Sequence, residues 1–106
     1  MNNLYSFNIL KNNNNCAEIE VLFTNESHEI FKAHFPRNSL LPGFLQIDIL
    51  AHILSIEIIE IKKAKFLQAI LPNDKVTYYI TKKDNTLNVR IEKQNKKCSE
   101  FSLVQR

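Results

Sequence analysis

At 106 residues, 44% of them hydrophobic, the chain can build one core but is small enough that pairing with a second copy would add useful burial. Charged residues at 24% argue against disorder along the whole length, so a single folded domain over residues 1–106 is expected. The formal net charge of +3 can steer an acidic protein partner. Nothing reads as a helix-turn-helix, a zinc finger or a basic strand interleaved with aromatics, so nucleic-acid binding is not expected.

The N-terminal residues Met1-Asn2-Asn3-Leu4-Tyr5 lack a basic region followed by an apolar run, and no secretion signal is predicted. The polar run Asn12 to Asn15 leads into Ala17, Ile19, Val21 and Phe23. These alternate with Glu18, Glu20 and Leu22 as in a half-buried strand. Next comes His34-Phe35-Pro36-Arg37-Asn38-Ser39-Leu40-Leu41-Pro42-Gly43-Phe44-Leu45-Gln46-Ile47-Asp48, which holds two of the three prolines and the only glycine. From about Pro42 to Ile61 the residues are apolar at nearly every angle around a helix, which predicts a helix that must be enclosed. The stretch also carries Gln46, Asp48, His52, Ser55, Glu57 and Glu60, too many polar groups for a lipid-facing span.

Three alternating runs follow. Val76, Tyr78 and Ile80 form the first, Leu87, Val89 and Ile91 the second, and residues 98–104 the third, separated by Lys82-Lys83-Asp84-Asn85 and by Gln94-Asn95-Lys96-Lys97. They predict an antiparallel meander whose turns use asparagine in left-handed conformations where other chains use glycine. One buried helix amid antiparallel strands gives an α+β class: a curved antiparallel sheet wrapped around one long buried helix. Cys16 and Cys98 lack the spacing of a metal or redox pair and read as free thiols of a reducing cytoplasm.

The chemistry concentrates around Gly43. Pro42 suits the opening of a helix, and Leu41 before it has no side-chain acceptor. Amides near Gly43 and Phe44 are therefore open to a ligand carbonyl, and glycine lets a ligand come close to the backbone. His34 precedes this entrance and Asp48 follows it, fourteen positions from the histidine, as a candidate acid–base pair. Asp48, His52 and Ser55 fall at i, i+4 and i+7 on an otherwise apolar rod. Either Asp48 and His52 satisfy each other or a backbone group, or Asp48 faces a cavity that His34 also lines.

His34-Phe35-Pro36 followed by Leu40-Leu41-Pro42-Gly43-Phe44-Leu45-Gln46-Ile47-Asp48 resembles the signature of the hot-dog-fold 3-hydroxyacyl-[acyl-carrier-protein] dehydratases. That signature runs His-Phe-Pro-Gly, then Pro-Gly, then a helix bearing Asp or Glu. Lys65-Phe66-Leu67 and Leu71-Pro72-Asn73-Asp74 are similar to the family's basic-Phe strand and its Pro-Gly-Asp turn. The resemblance implies a homodimer with active sites shared between subunits, in which His34 abstracts the C2 proton of a 3-hydroxyacyl thioester. Asp48 of the other subunit protonates the departing hydroxyl, and the Gly43 amide holds the thioester carbonyl. Phe44 and His52 would contact the substrate, presented on acyl carrier protein or coenzyme A, and no cofactor or metal is implied. The chain departs from the signature at Arg37 and Ser39, where the family has glycine and proline, and at His52, where it usually has glutamine. It is shorter than typical fatty-acid-synthesis dehydratases and looks more like the compact dehydratase-like domains of specialised acyl pathways.

Other readings use the same residues. Hot-dog acyl thioesterases activate water with a helix carboxylate, and a non-catalytic acyl-thioester-binding module fits the altered loop. His34, Asp48 and His52 also make a plausible metal-ligand set. A Ser39–His34–Asp48 triad lacks an elbow motif around its serine. His28 reads as a surface or strand-edge histidine.

Overall fold

The computed structural model describes residues 4–24 and 41–106. His28, His34, Arg37 and Ser39 lie outside the described residues. Six strands and one helix make up the described part: β1 (Tyr5–Asn12), β2 (Cys16–Phe23), α1 (Gly43–Leu54), β3 (Ile58–Phe66), β4 (Lys75–Lys83), β5 (Thr86–Lys93) and β6 (Lys96–Gln105). The strands form one sheet in the order β1-β2-β4-β5-β6-β3, and every neighbouring pair is antiparallel.

Period-two alternation decides which side of the sheet meets the helix. Ile19, Tyr78 and Ile91 lie in cross-strand register on β2, β4 and β5, and all three are buried. Their sequence neighbours Glu20, Thr77 and Arg90 lie on the opposite face. Ile47, Ile49 and Leu50 of α1 complete the core against that apolar face. Full burial of one such side chain stabilises the fold by about 1.5–3 kcal/mol.

The turns show how a chain with one glycine is folded this tightly. Asp84 and Asn85 close β4 onto β5, and Gln94 and Asn95 close β5 onto β6, each as a two-residue loop. Positive φ angles fall on Asn73 (68°) and Asn95 (64°), as expected of asparagine, but also on Ser55, Asp84 and Gln94. Gly43 is not among them, because it sits inside the helix.

Two features differ from the expectation. The helix ends at Leu54 instead of running to Ile61. Ser55 turns left-handed (φ 55°, ψ 47°), and the amides of Ser55 and Ile56 bond back to the carbonyls of His52 and Ala51, a Schellman closure. The isoleucines beyond it are β-branched, and their segment joins β6 as an edge strand instead. Nor do the described residues enclose the helix. Gln46, Ile47, Ile49 and Leu50 are buried, whereas Phe44, Asp48 and His52 form an exposed stripe at i, i+4 and i+8. Ser55, expected on that stripe, caps the helix. The strand β1 was not anticipated, although Tyr5, Phe7 and Ile9 alternate and face the inner residues Phe23, Val21 and Ile19 of β2.

Candidate functional site

The chain enters α1 through Leu41, whose amide donates to the Ile70 carbonyl at 2.8 Å. Pro42 is the N-cap residue, one position earlier than the first-turn place expected for it, with φ −57° and ψ 139°. Among the described residues no side chain caps the helix, and no acidic residue lies in its first turn. The amide end carries the partial positive charge of a helix N-terminus, which no described side chain offsets.

A cavity of about 630 Å³ opens beside this turn. Gly43, Phe44 and Ile47 of the helix form one wall, with Ile61, Ala64 and Phe66 of β3 opposite. Residues 67–69 close one end, held by the amides of Leu67 and Gln68, which both donate to the Cys98 carbonyl at 2.8 and 3.1 Å. Its walls are mostly apolar and its size suits a small-molecule chain. Gln46 is the buried polar group at its edge. Its Oε1 accepts from Ser99 Oγ at 2.6 Å, and its backbone carbonyl accepts from the Tyr78 hydroxyl at 2.8 Å. Burial drives the Tyr78 hydroxyl far above its usual value, with a smaller contribution from Tyr5, so it stays a donor.

The turn following the cavity is locked independently. Asp74 Oδ2 accepts from the Leu71 amide and from Lys93 Nζ, both at 2.8 Å. Asn73, in the left-handed region, donates its amide to the Thr24 carbonyl at 2.9 Å. Asparagine thereby serves where the resembling signature has glycine.

The structure brings Gly43 and Phe44 together at the cavity. Asp48 lies one turn further along the exposed stripe and is not part of the cavity wall. His52 sits two turns beyond Phe44, with Nδ1 hydrogen-bonded to the Tyr5 hydroxyl at 2.7 Å and its ring edge-on to Tyr5. Asp48 and His52 are not hydrogen-bonded to each other; the partner of His52 comes from β1. Among the described residues no cluster of three or more His, Cys, Asp or Glu could hold a metal. Ile61 was missed as a cavity-wall residue because the helix was read as far as that position, and Ala64 fell between that helix and the Lys65-Phe66-Leu67 strand implied by the resemblance. Phe66 was noticed only through the resemblance.

The sequence matches the ApeI-like family, described as ApeI dehydratase, over residues 9–102. The chain belongs to that family. Its fold is the hot-dog fold of this dehydratase family, a sheet packed on one helix. Among solved structures it is similar to the dehydratase heterocomplex ApeI:P from Xenorhabdus doucetiae, with a TM-score of 0.82 and 20% identity over 99% of this chain and 98% of that one. It is also similar to a hypothetical thioesterase protein with coenzyme A from Streptococcus pneumoniae, at TM-score 0.66 and 14% identity over 94% and 88% of the two chains. A protein from Streptococcus mutans bound to acetyl-CoA gives TM-score 0.69 and 8% identity over 95% and 89%. No curated protein matches the chain. The ApeI-like assignment makes the protein a member of a dehydratase family, and no helix among its described residues is long and apolar enough to cross a membrane.

Proposed function

We propose that this ApeI-like protein dehydrates a 3-hydroxyacyl thioester to the trans-2-enoyl thioester, within fatty-acid-like or specialised acyl biosynthesis in the cytoplasm. The observation carrying the proposal is the apolar cavity that meets the helix N-terminus at Gly43, where no described side chain caps the helix, in a chain of a dehydratase family. An acyl chain fits the apolar walls, and the amide end of α1 suits the oxygen of a thioester as charge develops on it.

In this reading His34 removes the C2 proton as the C2–C3 double bond forms and the C3–O bond breaks. Asp48, entering as the carboxylic acid, gives its proton to the departing hydroxyl, and one water leaves. A base near neutrality suits the first role. The second needs a carboxyl that a partner covers, since Asp48 is exposed on a single chain. A homodimer supplies that cover, and the edge position of β3 supports it: Ile59 and Ile61 are half-exposed on a strand that has one neighbour, β6, among the described residues. His52 contributes to the substrate-binding stripe with Phe44. The arm of the carrier is that of acyl carrier protein or coenzyme A, the latter supported by the coenzyme A ligands of two similar folds.

Incubation with 3-hydroxyacyl thioesters on both carriers tests the reading, with enoyl absorbance as the readout. Enoyl formation that is lost in a folded His34→Ala variant is the expected result. Thiol release from hydroxylated and simple acyl thioesters alike would instead identify a thioesterase, and no turnover on a broad panel would leave a binding module.

A further inference from the structure

The only glycine of the chain has no conformational need to be glycine, since it lies within a right-handed helix. Its environment supplies the reason. A Cβ on Gly43 would stand 2.6 Å from Phe66 Cζ, 2.7 Å from Cε1 and 3.0 Å from Cε2, so the tip of the Phe66 ring points at the bare Cα. From behind, the ring is held edge-to-face by Phe101, with centroids 5.6 Å apart and the planes at 62°. Phe101 is buried in the core, whereas Phe66 is 51% exposed. Phe66 is therefore packed against Phe101 and Gly43 and half-exposed on its remaining surface.

The position of that ring matters because it belongs to the cavity wall. Its cross-strand partner Ser99 is tied to Gln46, which lies on the same side of α1 as Gly43, one turn on. The first turns of the helix thus meet this end of the sheet through two contacts, the Ser99–Gln46 hydrogen bond from β6 and the Phe66–Gly43 contact from β3. Only the second involves a group that can move without breaking a buried hydrogen bond. Ala64, two residues before Phe66, and Ala69 beyond it are too small to narrow the space themselves.

We propose that Phe66 is the specificity-determining residue of the cavity: its ring, seated on Gly43, sets the width of the chamber beside the helix N-terminus and so selects which acyl chains enter. The choice of an acyl chain as occupant rests on the dehydratase reading above. The glycine and the phenylalanine form one device, in which the missing Cβ makes room for the ring and the ring gauges the ligand.

Binding of non-reactive S-alkyl coenzyme A thioethers with chains from butyl to dodecyl tests this on the intact protein without any chemical step. Phe66→Ala is expected to move the preference toward longer chains, changing the dodecyl-to-butyl affinity ratio by about tenfold, the order of discrimination that an apolar pocket gives per methylene-sized change. Phe66→Leu should fall between the two. In thermal unfolding, Gly43→Ala should be destabilised in the wild-type background and largely rescued by Phe66→Ala, because the clashing ring is gone. A chain-length profile that Phe66→Ala leaves unchanged, including no binding of any thioether, overturns the proposal, as do Gly43→Ala and Phe66→Ala effects that simply add. Failure of the dehydratase reading appears separately, as absence of enoyl product from a protein whose thioether profile still depends on Phe66.

Discussion

The two sides of α1 are built by opposite rules. Toward the sheet, Ile47, Ile49 and Leu50 are buried, and the one polar side chain, Gln46, has its oxygens engaged by Ser99 and Tyr78. On the other side, Phe44, Asp48 and His52 stand exposed in a stripe, with Phe44 beside the cavity that faces β3 and the Tyr5–His52 hydrogen bond tying the far end to β1. A side closed by apolar contact and satisfied hydrogen bonds carries stability. A side that leaves a phenylalanine 62% exposed beside a carboxylate is unfinished in a single chain and available for function.

The widest separation between the two sides comes from one substitution on each. Leu50→Ala empties core space and is expected to cost about 2–5 kcal/mol of unfolding free energy in denaturant titration. Asp48→Asn removes a charge from an exposed position and should leave stability within about 0.5 kcal/mol. Its turnover on the proposed 3-hydroxyacyl substrate should nevertheless fall by about 10²–10⁴-fold, the usual contribution of a positioned acid. Unfolding of Asp48→Asn at the temperature of the assay would erase the contrast, for it would make the open side structural too.

A second test falls on the polar contacts of the closed side. Tyr78→Phe keeps the ring but leaves the Gln46 carbonyl without its hydroxyl donor, at an expected cost of about 1–3 kcal/mol. The same hydroxyl gives a pH signature. Burial raises its pKa in the folded state, so its stabilisation is complete below the unfolded tyrosine value near pH ~10 and is lost as pH rises beyond it. The wild type should lose about 1.4 kcal/mol per pH unit from this group in alkaline unfolding experiments, and Tyr78→Phe should lack that share of the slope.

The closed side was also the more legible one in the sequence. Alternation in β2, β4, β5 and β6 reports burial directly, because each inward residue lies against the core and each outward one meets water. The helix was legible in position but not in length. A run of isoleucines fits a buried helix and an edge strand equally, and the stop signal is a serine in a left-handed conformation in place of the usual glycine. With the helix drawn too long, the first part of β3 was hidden and only its end at Lys65-Phe66 was seen, through the resemblance, so the cavity wall of Ile61 and Ala64 was missed. Gly43 stood out because it is alone, yet the reason for it is a ring 23 residues downstream that no local pattern announces. Asp48 was legible as a polar residue on an apolar rod. Its exposure was not, because what covers an open helix side depends on chains and segments beyond the local periodicity.

The smallest effect tests the one tie observed on the open side. Tyr5→Phe removes the hydrogen bond to His52 Nδ1 in a partly solvated setting, where water replaces the lost partner. About 0.5–1 kcal/mol of stability is the expected loss. The informative comparison is with Tyr78→Phe, the same chemical change made on the closed side. If the open stripe is reserved for a ligand or a second chain, Tyr5→Phe should disturb turnover or self-association more than its stability cost accounts for, whereas Tyr78→Phe should act through stability alone. Equal stability costs for the two substitutions, with no separate effect of Tyr5→Phe on either readout, would show that the stripe is merely a solvated part of the same packing.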